Sequence, residues 1–264
     1  MNEIINIDDS RIELYKNLRH TPASHIENKL FITEGEKATL ELIKSGIKVS
    51  TVFAVKEFYQ KNSDLILQKN IPEDKLFFAD KSIMNQIVGF KLHSGVMAIA
   101  HQPEESSLEE LNSPIVLLNG IINSENVGSI IRNCAAFSVS SLIVDKTTSS
   151  PYLRRAVRVS MGTVFGMKLH YSKDTIITIR VLKDLNYKII ASEITGKAQS
   201  INSFKFPKKF CIIFGSEGYG ITENILSISD KQIYVPINKI VKSLNVAASS
   251  AIILSKFREK FPMH

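Results

Sequence analysis

Beyond residue 113 the chain repeats one pattern, a short continuous apolar run followed by a stretch with helical spacing. The runs at 115–118, 142–144, 188–191, 210–214 and 233–235 have strand length and little polar alternation. Such runs suit strands covered on both faces, the situation of a parallel sheet. Helical patterns lie between them, among them residues 175–186 and a short one from Thr222. The expected fold is therefore α/β, a mostly parallel sheet with helices on both faces.

Residues 101–113 interrupt this regularity with an acidic, Pro-containing stretch, His101-Gln-Pro-Glu-Glu-Ser-Ser-Leu-Glu-Glu-Leu-Asn-Ser113. Ahead of it, apolar runs at 30–32, 52–55, 76–78 and 96–100 alternate with helix-like segments, one starting near Glu34 and stopping at Gly46 and an earlier one over about 10–18. The division expected is a small N-terminal α/β domain over 1–101, a linker over 102–113 and a second domain over 114–264.

Hydrophobic residues make up 44% of the 264, which excludes a disordered chain. No apolar run approaches the roughly 20 residues that span a bilayer, and the first ten residues lack a basic signal-peptide start, so a cytoplasmic location is expected. Cys134 and Cys211 both sit in apolar segments, as small buried hydrophobes do. The six histidines, His264 included, show no spacing that pairs two on one helical face, and no metal is expected.

The net charge of +7 and pI near 9.2 favour an acidic partner such as nucleic acid. From Lys146 to Lys173 there is no acid, and within this stretch Arg154, Arg155 and Arg158 stand close together. Guanidinium offers forked donors that match phosphate, so these three are candidate RNA contacts.

Three later segments carry candidate chemistry. In Asn126-Val-Gly-Ser-Ile-Ile-Arg132, the residues Val127, Ile130, Ile131, Cys134 and Ala135 form one helical stripe, which places Asn126 at the N-cap and Arg132 off the buried face. Taken alone, a capping Asn and a solvated Arg account for that segment. Gly215-Ser-Glu-Gly-Tyr-Gly220 follows the strongest strand and has neither P-loop nor dinucleotide-binding spacing. Its glycines allow close approach to the backbone, and Glu217 in their midst is a candidate for orienting a hydroxyl or a cation. In Val235-Pro-Ile-Asn-Lys-Ile-Val-Lys-Ser-Leu-Asn245, Pro236 ends a strand and Ser243 is the expected N-cap of a helix. That helix is apolar or small on all sides through Leu254, so burial on all sides is expected, within the domain or against a second copy.

These three segments, in this order, resemble the motifs of the SpoU (TrmH-like) branch of the SPOUT RNA methyltransferases. The segment Ser150-Pro-Tyr-Leu-Arg-Arg-Ala-Val-Arg-Val-Ser-Met-Gly-Thr-Val-Phe165 is similar to the family's link between motifs one and two. Phe31-Ile-Thr-Glu-Gly-Glu-Lys-Ala-Thr-Leu-Glu41 and Ser94-Gly-Val-Met-Ala-Ile-Ala100 resemble its substrate-binding domain, which itself resembles an RNA-binding ribosomal protein.

The resemblance implies a C-terminal trefoil knot, a homodimer and 2′-O-methylation of a ribose with S-adenosylmethionine as donor, in ribosomal RNA before transfer RNA. By the same resemblance Asn126, Arg132, Glu217, Ser243 and Asn245 form the catalytic group, and Gly215, Val235 and Leu244 contact the cofactor. The chain departs from the family pattern at Glu125 and Ser138, where glycines are usual, and at Ile237 and Lys239, where Met and Gly are usual. A non-catalytic RNA-binding protein on the same fold is the reading of a different class, and it has no need of all four of Asn126, Arg132, Glu217 and Asn245.

Overall fold

A computed structural model describes residues 1–262, so His264 lies outside the described residues. The chain divides into two compact units, Met1–Pro103 with Tyr152–Phe165, and Glu104–Pro151 with Gly166–His264. The segment Tyr152–Phe165, assigned to the second domain by the sequence reading, thus groups with the first unit.

The first unit holds a five-stranded sheet of β1 (Asn2–Glu3), β2 (Leu30–Glu34), β3 (Val49–Ala54), β4 (Leu76–Phe78) and β5 (Val96–His101), in the order β1-β4-β3-β5-β2. Its helices are α1 (Ala23–Glu27), α2 (Glu36–Lys44), α3 (Lys56–Lys61), α4 (Ser63–Gln68) and α5 (Lys81–Val88). Where a helix was expected over 10–18 there is a 3-10 helix, Ser10–Tyr15, broken at Ile12 (φ −113°). β5 lies antiparallel to both β2 and β3, and all five residues of β2 are buried, Glu34 included. Phe31 on β2 packs its ring 5.0 Å from Tyr152 and 5.4 Å from Phe165.

The second unit begins with a capped 3-10 turn, Leu108–Glu110, in which Ser107 and Glu110 form a reciprocal capping box inside the expected linker. It continues with β6 (Ile115–Asn119), α6 (Ser124–Ala136) and β7 (Ser141–Asp145). After α7 (Arg154–Val159), which belongs to the first unit, come β8 (Lys168–Ser172), α8 (Thr175–Asp184), β9 (Lys188–Ser192), β10 (Gln199–Ser200) and β11 (Phe210–Gly215). The last elements are α9 (Glu223–Ile228), β12 (Lys231–Tyr234) and α10 (Val246–Lys260).

The seven strands of this unit run in the order β10-β12-β9-β11-β6-β7-β8, every neighbouring pair parallel. The chain progresses from β6 toward β8 in one direction and places β9 to β12 on the other side, so the order reverses between β6 and β11. Open α/β sheets bind ligands at the carboxyl edge beside such a reversal. Here the register pairs Asn119 with Gly215, so the loop into α6 and the Gly215–Gly220 loop leave that edge side by side.

Helix boundaries depart from expectation at the two motifs that matter most. α6 starts at Ser124 because Asn123 is its N-cap, accepting from the Glu125 N–H at 2.8 Å; Asn126 is the third residue of the helix. Val127, Ile130, Ile131 and Cys134 are fully buried as their spacing predicts, while Ala135 is exposed. α10 is capped not by Ser243 but by Asn245, whose Oδ1 accepts from the N–H groups of Ala247 and Ala248 at 2.8 and 3.3 Å. Nor is α10 buried all round. Ser250, Ile253, Leu254 and Phe257 face the core and Ala248 and Ile252 are exposed.

Candidate active site

The carboxyl edge between β6 and β11 is organised first by a residue the sequence reading did not nominate. Asp145, at the end of β7, accepts hydrogen bonds from the side chains of Asn119, Thr147 and Thr148 and from the N–H groups of Gly120, Thr147 and Thr148, at 2.7 to 3.2 Å. Burial works to raise its pKa, but the donors from Thr148, Gly120, Thr147 and Asn119 outweigh it and hold the carboxyl below its ordinary range. The sequence carries a trace of this in Asp145-Lys-Thr-Thr148, an acid whose following hydroxyls and amides fold back on it. The result is a rigid take-off point for the loop that leads into α6.

The Gly215–Gly220 loop is pinned in a comparable way. Ser216 and Gly220 exchange both backbone hydrogen bonds, at 3.2 and 2.9 Å, and Glu193 accepts from the Ile221 N–H at 2.9 Å. A Cβ at Gly215 would come within 2.6 Å of the Gly220 carbonyl carbon, so no larger residue fits this approach of backbone to backbone. Of the three glycines only Gly220 takes a positive φ, +65°. Glu193 is a lone acid just past the end of β9 with no motif around it, which is why periodicity does not single it out.

Asn126, Glu217 and Asn245, drawn from three separate segments, meet in one line of hydrogen bonds. Asn245 donates to Oδ1 of Asn126 at 3.0 Å, and Asn126 donates to Oε1 of Glu217 at 2.7 Å. The direction of the line is fixed at its origin. Because Asn245 Oδ1 receives the N–H groups of α10, its Nδ2 faces Asn126, which must present its oxygen there and turn its own Nδ2 to an acceptor; an ionised carboxylate only accepts. A second asparagine on α6, Asn133, donates to the Ala247 carbonyl and to the Ser250 hydroxyl at 2.8 and 2.9 Å, holding α6 against α10.

Beside this line lies a cavity of about 440 Å³, walled by Phe214, the Gly215–Gly220 loop, Ser192 to Ile194, Tyr234, Val235, Ile237 and residues 243–246 with Ser249. Gly215, Val235 and Leu244, the expected cofactor contacts, all line it, as do Glu217, Ser243 and Asn245. Its volume falls in the range of about 300–1,000 Å³ found for small-molecule sites. Apolar walls next to loop backbone and carboxylates suit a ligand with a flat base and a charged tail.

Arg132 is not brought into this group. It follows Asn126 by six residues on α6, which sets it about 9 Å along the axis and about 120° around it. Arg132 does not line the cavity; it is exposed and has no hydrogen-bond or ion-pair partner among the described residues. The other nominated arginines lie in the first unit. Arg154 is ion-paired with the buried Glu34 and stacks 4.3 Å from the Phe90 ring centroid, and Arg158 reaches Glu34 at 3.7 Å, so both are engaged by the protein itself. Arg155 is exposed. Burial pushes the Cys134 thiol up to about 12 and raises that of Cys211 as well, so neither is a nucleophile.

Residues 113–255, just over half of the chain and all of the site described above, match the SpoU rRNA Methylase family. The chain belongs to that family. As a SpoU methylase it is an RNA methyltransferase that uses S-adenosylmethionine. Among similar proteins, the uncharacterized tRNA/rRNA methyltransferase Rv0881 of Mycobacterium tuberculosis is 26% identical over 95% of this chain and 89% of its own length. The 23S rRNA (guanosine(2553)-2′-O)-methyltransferase RlmP of Bacillus subtilis is 23% identical over 98% of this chain and 100% of its own. The fold is shared with the AdoMet-bound rRNA methyltransferase from Sinorhizobium meliloti, at a TM-score of 0.85, 19% identity and 99% coverage of both chains. Among the described residues no helix is long and apolar enough to cross a membrane.

Proposed function

We propose that this SpoU methylase methylates the 2′-hydroxyl of a ribose in ribosomal RNA, at the site formed by Asn126, Glu217 and Asn245. The observation that carries the reading is the directed line from the start of α10 through Asn245 and Asn126 to Glu217, at the mouth of the cavity lined by Gly215, Val235 and Leu244. A purely RNA-binding surface has no use for a line of fixed polarity beside a cavity of small-molecule size. The names of RlmP and of the related 23S rRNA (guanosine-2′-O-)-methyltransferase RlmB of Neisseria meningitidis support both the ribose and the ribosomal substrate.

Gly215, Val235 and Leu244 would hold the cofactor, chiefly through backbone groups of the loops around them. S-adenosylmethionine supplies an electrophilic methyl group on a sulfonium that leaves as a neutral thioether. The protein's part is alignment of the ribose oxygen and management of its proton. Glu217, oriented by Asn126, presents its second carboxylate oxygen as an acceptor for a hydroxyl, and Ser243 on the facing wall adds a second polar contact. Arg132 cannot accept a proton, because guanidinium stays protonated and has no acceptor atom. Exposed and without a protein partner, it serves to bind the phosphate beside the target ribose and to stabilise the developing oxyanion. Arg154, Arg155 and Arg158 remain candidate RNA contacts by their clustering, with Arg154 and Arg158 also ion-paired to Glu34.

The reading includes a trefoil knot formed by the loops that border the cavity, a homodimer and a cytoplasmic location. The exposed Ala248 and Ile252 on α10 are the face offered to a second copy. The deciding experiment is transfer of labelled methyl from S-adenosylmethionine to unmodified ribosomal and transfer RNA pools, with Arg132→Ala as control. Label in ribosomal RNA, alkali-stable at one dinucleotide and lost in the variant, is the expected result. Label confined to transfer RNA overturns the substrate, and cofactor binding without transfer to any RNA, assembled subunits included, overturns the activity.

A further inference from the structure

We infer that Tyr219 is a base-stacking platform that positions an unpaired nucleobase of the RNA over the active site; this rests on RNA being the substrate. The chain has 14 phenylalanines, seven tyrosines and no tryptophan. Of these aromatic side chains Tyr219 alone is exposed, at 95%. An aromatic ring left in water contributes nothing to the core, and its large flat face is free to stack on a ligand.

The mounting of this ring is as informative as its exposure. On its N-terminal side Glu217 is tied to Asn126, and on its C-terminal side Gly220 is paired with Ser216 and Ile221 with Glu193. The phenol therefore projects from a loop held at both ends, two residues from the carboxylate that faces the reacting hydroxyl, and it lines the cavity mouth. In the loop between the cavity-lining Ile237 and Ser243, the exposed Lys239 and Lys242 add positive charge and have no ion pair among the described residues. A flat aromatic face beside cationic groups is the combination that single-stranded RNA uses, bases on rings and phosphates on cations. Sequence-specific contact with RNA falls mostly on unpaired bases, whose faces are free to stack.

The absence of tryptophan makes the test direct. Tyr219→Trp in the full chain places the sole indole at the site, read by fluorescence with poly(A), poly(U) and unmodified ribosomal RNA as probes. Water-exposed emission in the free protein, quenched on adding RNA and unaffected by protein concentration, is expected. In methyl transfer, Tyr219→Ala raises the KM for RNA by about ten- to a hundredfold while moving the KM for S-adenosylmethionine far less, and Tyr219→Phe stays within about threefold of the wild type. A blue-shifted, concentration-dependent indole unaffected by RNA assigns the face to a second copy and overturns the inference. So does an unquenched indole in a variant that still methylates RNA, or an alanine variant with unchanged KM. Quenching by RNA in a protein that transfers no methyl group leaves the stacking standing and overturns the activity instead.

Discussion

Asn126 Nδ2 stands 2.7 Å from Oε1 of Glu217, an amide donating to a carboxylate at the end of a line whose polarity starts in the backbone of α10. Replacing the amide by a second carboxylate, Asn126→Asp, removes the donor and sets two like charges at hydrogen-bond distance. One of the pair then has a raised pKa and holds a proton at low pH, restoring a donor between them. Methyl transfer by this variant falls by about a hundredfold at neutral pH, the scale for loss of one positioned polar group. Relative to wild type it recovers as the pH is lowered toward 5. A pH–rate profile parallel to that of wild type would show that the line does not depend on a donor at residue 126.

Asp145 predicts an acid dependence of stability. Its folded pKa lies below the unfolded value, so its contribution is complete above the ordinary carboxylate range and is lost as pH falls through the lower folded value. Asp145→Asn lowers stability at pH 7 by about 2 kcal/mol, the worth of hydrogen bonds to a charged group. The gap between variant and wild type begins to narrow below about pH 4, where the carboxylate of the unfolded wild-type chain takes up a proton while the folded one still resists it. Urea denaturation at pH 7 and pH 3 measures both numbers, and a gap that widens in acid contradicts the account.

Glu34 is 5% exposed and stands between Arg154 and Arg158. Arg154→Ala leaves that carboxylate buried with only the longer contact and also removes the stacking on Phe90, so a loss of about 3 kcal/mol is expected. Adding Glu34→Gln to the same chain recovers part of the loss, because no unpaired charge then remains. If Arg154 instead served chiefly to hold phosphate, the single variant would unfold at the wild-type denaturant concentration and lose only RNA affinity.

Ser138 occupies the position just past the end of α6 where a glycine is usual in the family, and its φ is +52°. Its N–H reaches the Ala135 carbonyl at 3.1 Å and the Val139 N–H reaches that of Cys134 at 2.8 Å, the paired bonds of a glycine-type helix end. A side chain in this left-handed region costs about 1–2 kcal/mol, against about 0.5–1 kcal/mol for the extra unfolded freedom of glycine. On backbone conformation alone Ser138→Gly favours the folded chain by about 0.5 kcal/mol, and Ser138→Ala alongside it separates the contribution of the side chain's own contacts; both are read as shifts of the thermal midpoint.

The parallel sheet was legible because its central strands are buried on both faces and read as unbroken apolar runs. β8 was not, because Lys168-Leu-His-Tyr-Ser172 is an edge strand with half-exposed polar positions and a weak signature. The stripe in α6 fixed the phase of that helix but not its start, since Asn123, Ser124 and Asn126 are all capable caps and only the fold selects Asn123. Likewise Ser243 and Asn245 are both competent to begin α10. The three asparagine and glutamate residues of the line were found through motif resemblance, whereas Glu193 acts through a tertiary contact that no local spacing encodes and Asp145 is marked only by the two threonines that follow it. The ion pair of Arg154 with Glu34 was not legible for a related reason, since that partner lies 120 residues away in sequence.

The line from Asn245 to Glu217 spans segments at 126, 217 and 245, and its polarity originates in the last helix. During synthesis at about 5–20 residues per second, β6, β7 and α6 are made many seconds before α10 exists to orient Asn126. Until α10 is made and docked, Asn126 lacks the donor that sets its orientation, and the proposed site is incomplete. On the proposed reading, methyl transfer waits for the docking of α10, so activity itself reports that segments far apart in the chain have come together.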